Sequence, residues 1–363
     1  MQSKQISFKG QKVFVGIDVH KTTWSVTVLL EVGVPKTPPQ KASAKELFDF
    51  LNRHYPDGEY HAVYEAGFSG YATYYALTEY GIHCIVVNAA DVPTTQYENV
   101  MKSDPIDSVK LAKALRAGQL KGIYIRNREN LDDRAAVRYR GAIAREVNRY
   151  KTRVKHLLYS NGVDVPERFD KSGHWSRAYL NWLRTDVELL SSTRLSLDLL
   201  LDQAEIARQG LLKATLAIRH LSQSPKYADR YDLIHSIPGI GPICGMTILT
   251  EVEDVTRFRN EKQFASYLGL IPTCHSSGDK VIHGEKTFRG NKQIGPMLVE
   301  ASWRAIYIDD ALACAFFQYK HRGFNAQEAI IRVARKLSNI ILSVLKNGKP
   351  YEPFMGNRHT TTE

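Results

Sequence analysis

Four acids stand where a hard cation could use them. Asp18 ends the apolar run Val13-Phe-Val-Gly-Ile17, and Glu65 ends Ala62-Val-Tyr64. Both runs read as short, buried-type strands stopped by an acid. If the strands are neighbours in one sheet, both carboxylates project at the same sheet edge. Asp104 and Asp107 are three residues apart at the start of a helix, so they share a face and reach one point. Converging carboxylates repel one another unless a cation sits between them. Mg²⁺ (or Mn²⁺) is the expected occupant, held by carboxylates and completed by water and substrate phosphate. Two such ions about 4 Å apart can activate a nucleophile and stabilise the leaving oxygen in phosphoryl transfer. Asp104-Pro105-Ile106-Asp107 also reads as a helix start: N-cap Asp, Pro at the first position, an acid in the capping-box position. A capping acid can bind metal as well, and the combination of all four carries the metal reading.

Two further segments carry chemistry. Ile237-Pro-Gly-Ile-Gly-Pro242, before the apolar stretch Ile243–Thr250, fits a helix-hairpin-helix. Gly239 and Gly241 would allow backbone N–H groups to approach a phosphate, and Pro242 would start a helix whose dipole favours an anion. Such contacts read the nucleic-acid backbone rather than the bases. A tight interhelical turn without a ligand is the plainer alternative. Farther on, Phe264-Ala-Ser-Tyr-Leu-Gly-Leu-Ile-Pro272 leads into Thr-Cys-His-Ser276-Ser277-Gly278, with Lys280, Lys286, Arg289 and Lys292 after it. A serine needs a base, a metal or nearby cations to become a nucleophile. His275 and His283 are near in sequence, and the cations suit a phosphate. Alone, a Ser-Ser-Gly loop is a plain turn, and Cys274 with the two histidines is a weak metal set.

The elements that must position these residues fall into three stretches. Strands at Val13–Ile17, Trp24–Leu30, Ala62–Tyr64 and Ile82–Val87, with helices near Ala44–Arg53, Gly70–Tyr80 and Asp104–Ala117, give an α/β pattern with a mixed sheet. In the middle, Ile143, Val147, Tyr150, Val154 and Leu157 form a coiled-coil seam. A second seam runs Leu180, Leu183, Val187, Leu190, Leu197, Leu201, Ala204, Leu211, with Arg194 and Arg208 interrupting its register. These helices can pair within the chain or between chains. The last stretch holds the Gly-rich segment Gly269–Gly290 between helices, two of them near Gly295–Ala305 and Asn325–Leu345, and a frayed tail at Gly356–Glu363. The expected domains are 1–125, 126–225 and 226–363.

Charge points to a polyanion. Of 363 residues, 49 are Lys or Arg and 38 Asp or Glu, a net +11. Residues 1–118 balance at 12 basic and 12 acidic, whereas residues 119–235 carry 21 basic and 14 acidic, with 15 of the cations Arg. Arginine suits bidentate phosphate contacts, and a basic excess of this kind fits nucleic acid, with a soluble protein that simply has basic helices as the equal alternative on charge alone. The four cysteines are widely spaced, with no Cys-x-x-Cys pair, which argues against a disulfide framework or cysteine-rich zinc module and fits a reducing cytosol. No Gly-x-x-x-x-Gly-Lys-Ser/Thr loop is present, so ATP is not expected as a co-substrate. The first ten residues lack a signal-type apolar segment, and no apolar run approaches the roughly 18 residues of a bilayer span. A cytoplasmic, nucleoid-associated protein without a membrane partner is expected.

Together the motifs resemble one family. Val-Gly-Ile-Asp18-Val-His-Lys, Tyr-Glu65-Ala-Gly-x-Ser-Gly-Tyr and Lys-Ser-Asp104-Pro-Ile-Asp107 look like the DEDD tetrad of bacterial insertion-sequence transposases that work with a bridge RNA. Ser-Ile-Pro-Gly-Ile-Gly-Pro, Phe-Ala-Ser-Tyr-Leu-Gly-Leu-Ile-Pro, Ser277-Gly278 and Arg-Gly-Asn291-Lys look like its C-terminal block. The resemblance covers nearly the whole chain, in order. It implies a RuvC-like (RNase H fold) N-terminal domain, a coiled-coil linker and a small C-terminal transposase domain. It implies Mg²⁺ held by Asp18, Glu65, Asp104 and Asp107, and a serine, Ser277 or alternatively Ser276, that becomes covalently linked to DNA in a tetramer. Phosphate contacts are expected from Gly239, Gly241, Lys280, Arg289 and Lys292. Relatives usually carry a Leu-Arg pair near Ile294-Gly295, so the phosphate contact expected there is either missing here or supplied by Lys292 or Arg289. The implied partners are DNA, a guide RNA and further copies of the chain, as a dimer or tetramer. A metal-dependent junction nuclease using water as nucleophile is the alternative function, and a nucleic-acid-binding scaffold needs neither tetrad nor serine.

Overall fold

The alternating apolar run of the first strand is laid down beside its hairpin partner. The computed structural model describes residues 7–33, 39–94, 104–170, 175–277, 280–286 and 290–354, and for Pro39, Asp104, Pro105, Asp170 and the segments 272–277 and 280–286 it describes the backbone. The chain divides into two compact units between Ile125 and Arg126.

The first unit is built on a five-stranded mixed sheet of order β3-β2-β1-β4-β5. Its strands are β1 (Lys12–Val19), β2 (Thr23–Leu30), β3 (Pro39–Lys41), β4 (Glu59–Glu65) and β5 (His83–Val87). The first three are antiparallel, and β4 and β5 run parallel to β1. Helices α1 (Ala44–His54) and α2 (Ala72–Glu79) follow β3 and β4, and α3 (Asp104–Arg116) comes last. Strand alternation sorts the side chains. Val13, Val15, Ile17, Val26, Val28, Ala62, Tyr64 and Val86 form one buried cluster with Leu47, Leu51 and Leu77 of α1 and α2. The opposite face lies under α3: Phe14 and Leu29 pack with Ala112, and Val63 and Val87 with Leu111. Burying each large aliphatic side chain is worth about 1.5–3 kcal/mol, so two covered faces fix both register and facing.

The second unit is mainly helical. A long helix, α4 (Arg128–Ser160), packs along a second, α7 (Ser191–Ser222), with the short α5 (Glu167–Asp170) and α6 (Arg177–Thr185) between them in sequence. The second apolar seam is therefore not one helix, because α6 ends at Thr185 and α7 begins at Ser191. Arg194 explains the break. Its guanidinium donates to the carbonyls of Leu183 (2.9 Å) and Val187 (3.3 Å) and pairs with Asp198, so it caps one helix from the first turn of the next.

The remainder packs around one large core: α8 (Ala228–His235), α9 (Pro242–Val252), α10 (Glu261–Tyr267), a hairpin β6 (Pro272–Ser277) and β7 (Lys280–Lys286), then α11 (Ile294–Ala305), α12 (Asp310–His321) and α13 (Ala326–Asn347). The Gly-rich segment thus carries a two-stranded ribbon, and α10 and α12 are further helices that periodicity did not separate. Helix α13 starts with an Asn325/Glu328 capping box and stops at Gly348 in the left-handed region. No described helix is long and apolar enough to cross a membrane. The tail from Gly356 lies outside the described residues.

Candidate active site

In the first unit, strand pairing decides where two of the acids go. Ile17 pairs with Tyr64 in the parallel β1–β4 ladder, and Glu65 pairs with Val87. Asp18 and Glu65 therefore stand one step past Ile17 and Tyr64, at the C-terminal ends of adjacent strands. Since Ile17 and Tyr64 face the α1/α2 side, alternation turns Asp18 and Glu65 to the α3 side. Gly16 makes that side accessible to a helix. A Cβ there would lie 2.1 Å from the Ser108 carbonyl oxygen and 2.5 Å from the Ala112 nitrogen. Only a residue without a side chain lets α3 lie this close on β1. The buried hydroxyls of Thr27 and Ser108, 2.8 Å apart, tie the same helix to β2.

The docking brings Asp107 to Glu65. Lys110, one turn along α3, places its Nζ 3.1 Å from Asp107 Oδ1 and 3.7 Å from Glu65 Oε1. Lys110 was not anticipated. Its only sequence signal is a basic residue three positions after an acid on a helix, and its pairing with Glu65 exists only once α3 is docked. His20 places Nε2 3.1 Å from Asp18 Oδ2. The loop after β4 is held in shape by Tyr64, whose buried hydroxyl donates to the Gly70 carbonyl (2.8 Å) and accepts from the Tyr74 N–H (3.2 Å). Asp104 opens α3 one turn before Asp107.

These donors are all oxygens of carboxylates, the set that a hard divalent cation prefers. The Lys110 ammonium already lies between two of them, so this pocket is one where positive charge is stabilised. In chemistry, then, Asp18, Glu65 and Asp107 fit such an ion. Among the described side chains no three His, Cys, Asp or Glu residues stand close enough together to enclose one as they are.

In the second unit, Ser276 and Ser277 end β6, where Ser276 pairs with Val281 and Ser277 with Lys280 of β7. Gly239 takes φ +82°, and a Cβ there would lie 2.2 Å from the Ala301 carbonyl oxygen, so its bareness is required by α11 packing against the turn. Gly241 is the N-cap of α9, with Pro242 at the helix start and open space beside it. Lys292 is exposed, Lys280 is placed on β7, and Arg289 lies outside the described residues.

A DEDD transposase family model of IS110 type matches residues 15–161, and a second model, for the transposase IS116/IS110/IS902 family, matches residues 231–318. The chain belongs to the IS110/IS116/IS902 transposase family. With that membership comes the enzyme class, a DNA transposase or recombinase, and a DEDD domain for which a divalent metal is expected. Among proteins similar to this IS110-family chain, y4qE of Sinorhizobium fredii, provisionally named a transposase, is 27% identical over 248 residues, 67% of this chain and 58% of that one. A second Sinorhizobium fredii protein with the same provisional name, y4rJ, is 28% identical over 325 residues, 80% of each chain. The pilin gene-inverting protein of Moraxella bovis is 29% identical over 135 residues, 36% of this chain and 41% of that protein.

Proposed function

We propose that this chain cuts and rejoins DNA strands through a covalent serine–phosphate intermediate, with Asp18, Glu65, Asp104 and Asp107 as a metal-binding tetrad and a guide RNA selecting the sites. The observation that supports the reading is that Asp18 and Glu65 end adjacent parallel strands on the side of the sheet that α3 covers, with Asp107 of α3 joined to Glu65 through Lys110. The strand order β3-β2-β1-β4-β5, with acids ending adjacent parallel strands, supports an RNase H-like, RuvC-type first unit. A divalent cation held there would offset charge on a scissile phosphate and on the oxygen that leaves it.

The chain's own residues do the rest. The Ser277 or Ser276 hydroxyl attacks phosphorus, an Oγ–P bond forms as one P–O ester bond of the strand breaks, and the hydroxyl proton ends on the released sugar oxygen through solvent. A hydroxyl of the new partner strand then attacks the same phosphorus, restoring the serine. One ester is exchanged for another at each step, so no nucleotide cofactor is consumed. Gly241 at the α9 start, Gly239, Lys280, Arg289 and Lys292 contact phosphates. The α4–α7 pair acts as a coiled coil, and exposed Leu195, Leu199, Ile206, Leu212 and Leu216, which keep to one side of α7 at a 3.5-residue period, pair with a second copy in a dimer or tetramer.

The test is a denaturing gel of the full chain incubated with Mg²⁺, the transcribed RNA that flanks its gene, and a plasmid carrying the flanking DNA. A protein–DNA adduct is expected, lost in Asp18→Asn and lost in either Ser277→Ala or Ser276→Ala. Cleavage that survives both serine replacements together, but not Asp18→Asn, would instead make the chain a junction nuclease with water as nucleophile.

A further inference from the structure

The second unit holds a buried ionic cluster that the reaction above does not use. Glu251, in the last turn of α9, has its side chain 1% exposed. Its Oε2 lies 3.0 Å from Arg134 Nε and its Oε1 2.5 Å from Arg138 Nε, both from one face of α4. Oε2 also accepts from the Asn291 amide at 2.9 Å. The Glu251 backbone carbonyl accepts from the Tyr267 hydroxyl (2.6 Å) and from Arg126. Burial pushes the Glu251 carboxyl up, but the Arg138 and Arg134 contacts outweigh it and hold the group below the usual glutamate range.

The third ligand of this carboxylate is what gives the cluster a purpose. Asn291 leads directly out of the segment that carries the serines, and it is held there from both sides. Its N–H donates to the Tyr267 carbonyl at 2.7 Å, and its Oδ1 accepts from the N–H groups of Gln293 and Ile294 at the start of α11. One residue earlier, Gly290 crosses Gly269 so closely that a Cβ on Gly290 would lie 2.3 Å from the Gly269 Cα. Gly269 and Gly290 are thus the two sides of a pinch at the root of the β6–β7 hairpin. A buried ion-pair cluster contributes little to stability that well-packed apolar side chains would not. What it does provide is fixed direction, since a carboxylate gripped by two guanidinium groups has one orientation left for its remaining partner.

We propose that Glu251 is a positioning residue: anchored on Arg134 and Arg138 of α4, it fixes Asn291 and, through the Gly269/Gly290 pinch, the placement of the hairpin that bears Ser276 and Ser277. This rests on the serine reading for its catalytic consequence, but not for its structural one. A misplacement of a reacting group by about 1 Å costs on the order of a hundredfold in rate, so a loosened root is read as slower chemistry at saturating DNA.

The experiment exchanges the two partners. Glu251→Gln, Asn291→Asp and the double variant are compared with wild type in the full chain. Amide hydrogen exchange over residues 272–286 is expected to speed up by about tenfold or more in each single variant, with residues 12–19 and 104–116 unaffected. Asn291→Asp alone sets two carboxylates against each other; with Glu251→Gln the hydrogen bond is restored in the reverse sense, and exchange is expected to return to within about threefold of wild type. Single-turnover adduct formation at saturating DNA is expected to follow the same pattern, down by about tenfold to a hundredfold in the single variants and recovered in the double. Unchanged exchange in folded single variants, or a double variant no better than either single, would overturn the proposal. If Glu251→Gln does not fold, Asn291→Ala takes its place, and its hairpin exchange decides. If no serine adduct forms even in wild type, the serine reading falls while the exchange pattern still judges the positioning role.

Discussion

Gly16 is a residue whose function is to be small. With α3 docked over it, two strand ends and a helix deliver carboxylates to one side of the sheet. Gly16→Ala puts a methyl group against the Ser108 carbonyl, and overpacking of that kind costs about 1–3 kcal/mol. The urea midpoint is expected to fall accordingly and metal-dependent cleavage with it; an unchanged midpoint would mean that α3 does not rest on β1 in solution. Asp18 and Glu65 were legible because strand ends are written locally, as an apolar run and the acid that stops it. Lys110 and the Asp18–His20 contact were not, because they depend on which side of the sheet a later helix covers. The Val-Gly-Ile-Asp18 motif contained Gly16 in plain view, yet its reason lies in a backbone that arrives more than ninety residues later.

Among the elements, those with a strong period or a clear start were read from sequence almost at their true bounds: β1, β2, α1, α3 and α13. Two readings failed for physical reasons. The apolar spacing from Leu180 to Leu211 continues through a break because α6 and α7 each present an apolar face to α4, and periodicity cannot see a change of axis. The β6–β7 ribbon was hidden by glycines, serines and cations that also suit a loop. Glu251 was invisible as a functional residue, being one acid inside the apolar α9. Its charge is nevertheless measurable. Because its carboxyl is held below the ordinary range in the folded state, the stabilisation it contributes is complete above the unfolded glutamate value of about 4.3 and is lost as pH falls through the lower folded value. Wild type is therefore expected to lose stability more steeply than Glu251→Gln between neutral pH and about pH 3, read as the shift of the thermal midpoint. Parallel curves would show that the carboxylate is not ionised against Arg134 and Arg138.

For the whole molecule, charge and family agree on the partner. The acidic and basic residues balance over residues 1–118, and the excess that makes up the net +11 lies beyond. Affinity for DNA is expected to fall linearly on a log–log plot against salt, with a slope of about −0.9 for every phosphate neutralised. Titrations at several salt concentrations check this, and a flat response would contradict a phosphate-gripping surface. The family and the class of partner were accessible from the residues, because motifs and charge are read directly from the sequence, whereas no motif in it spells out a target sequence.

The crossing of Gly269 and Gly290 has a consequence for how such enzymes can diversify. The two glycines bracket the ribbon in sequence and meet in space, so the segment between them is a unit that can be exchanged whole at that crossing. Grafting a ribbon from a relative should therefore transfer reach and local chemistry as a cassette, provided the two glycines at its threshold travel with it.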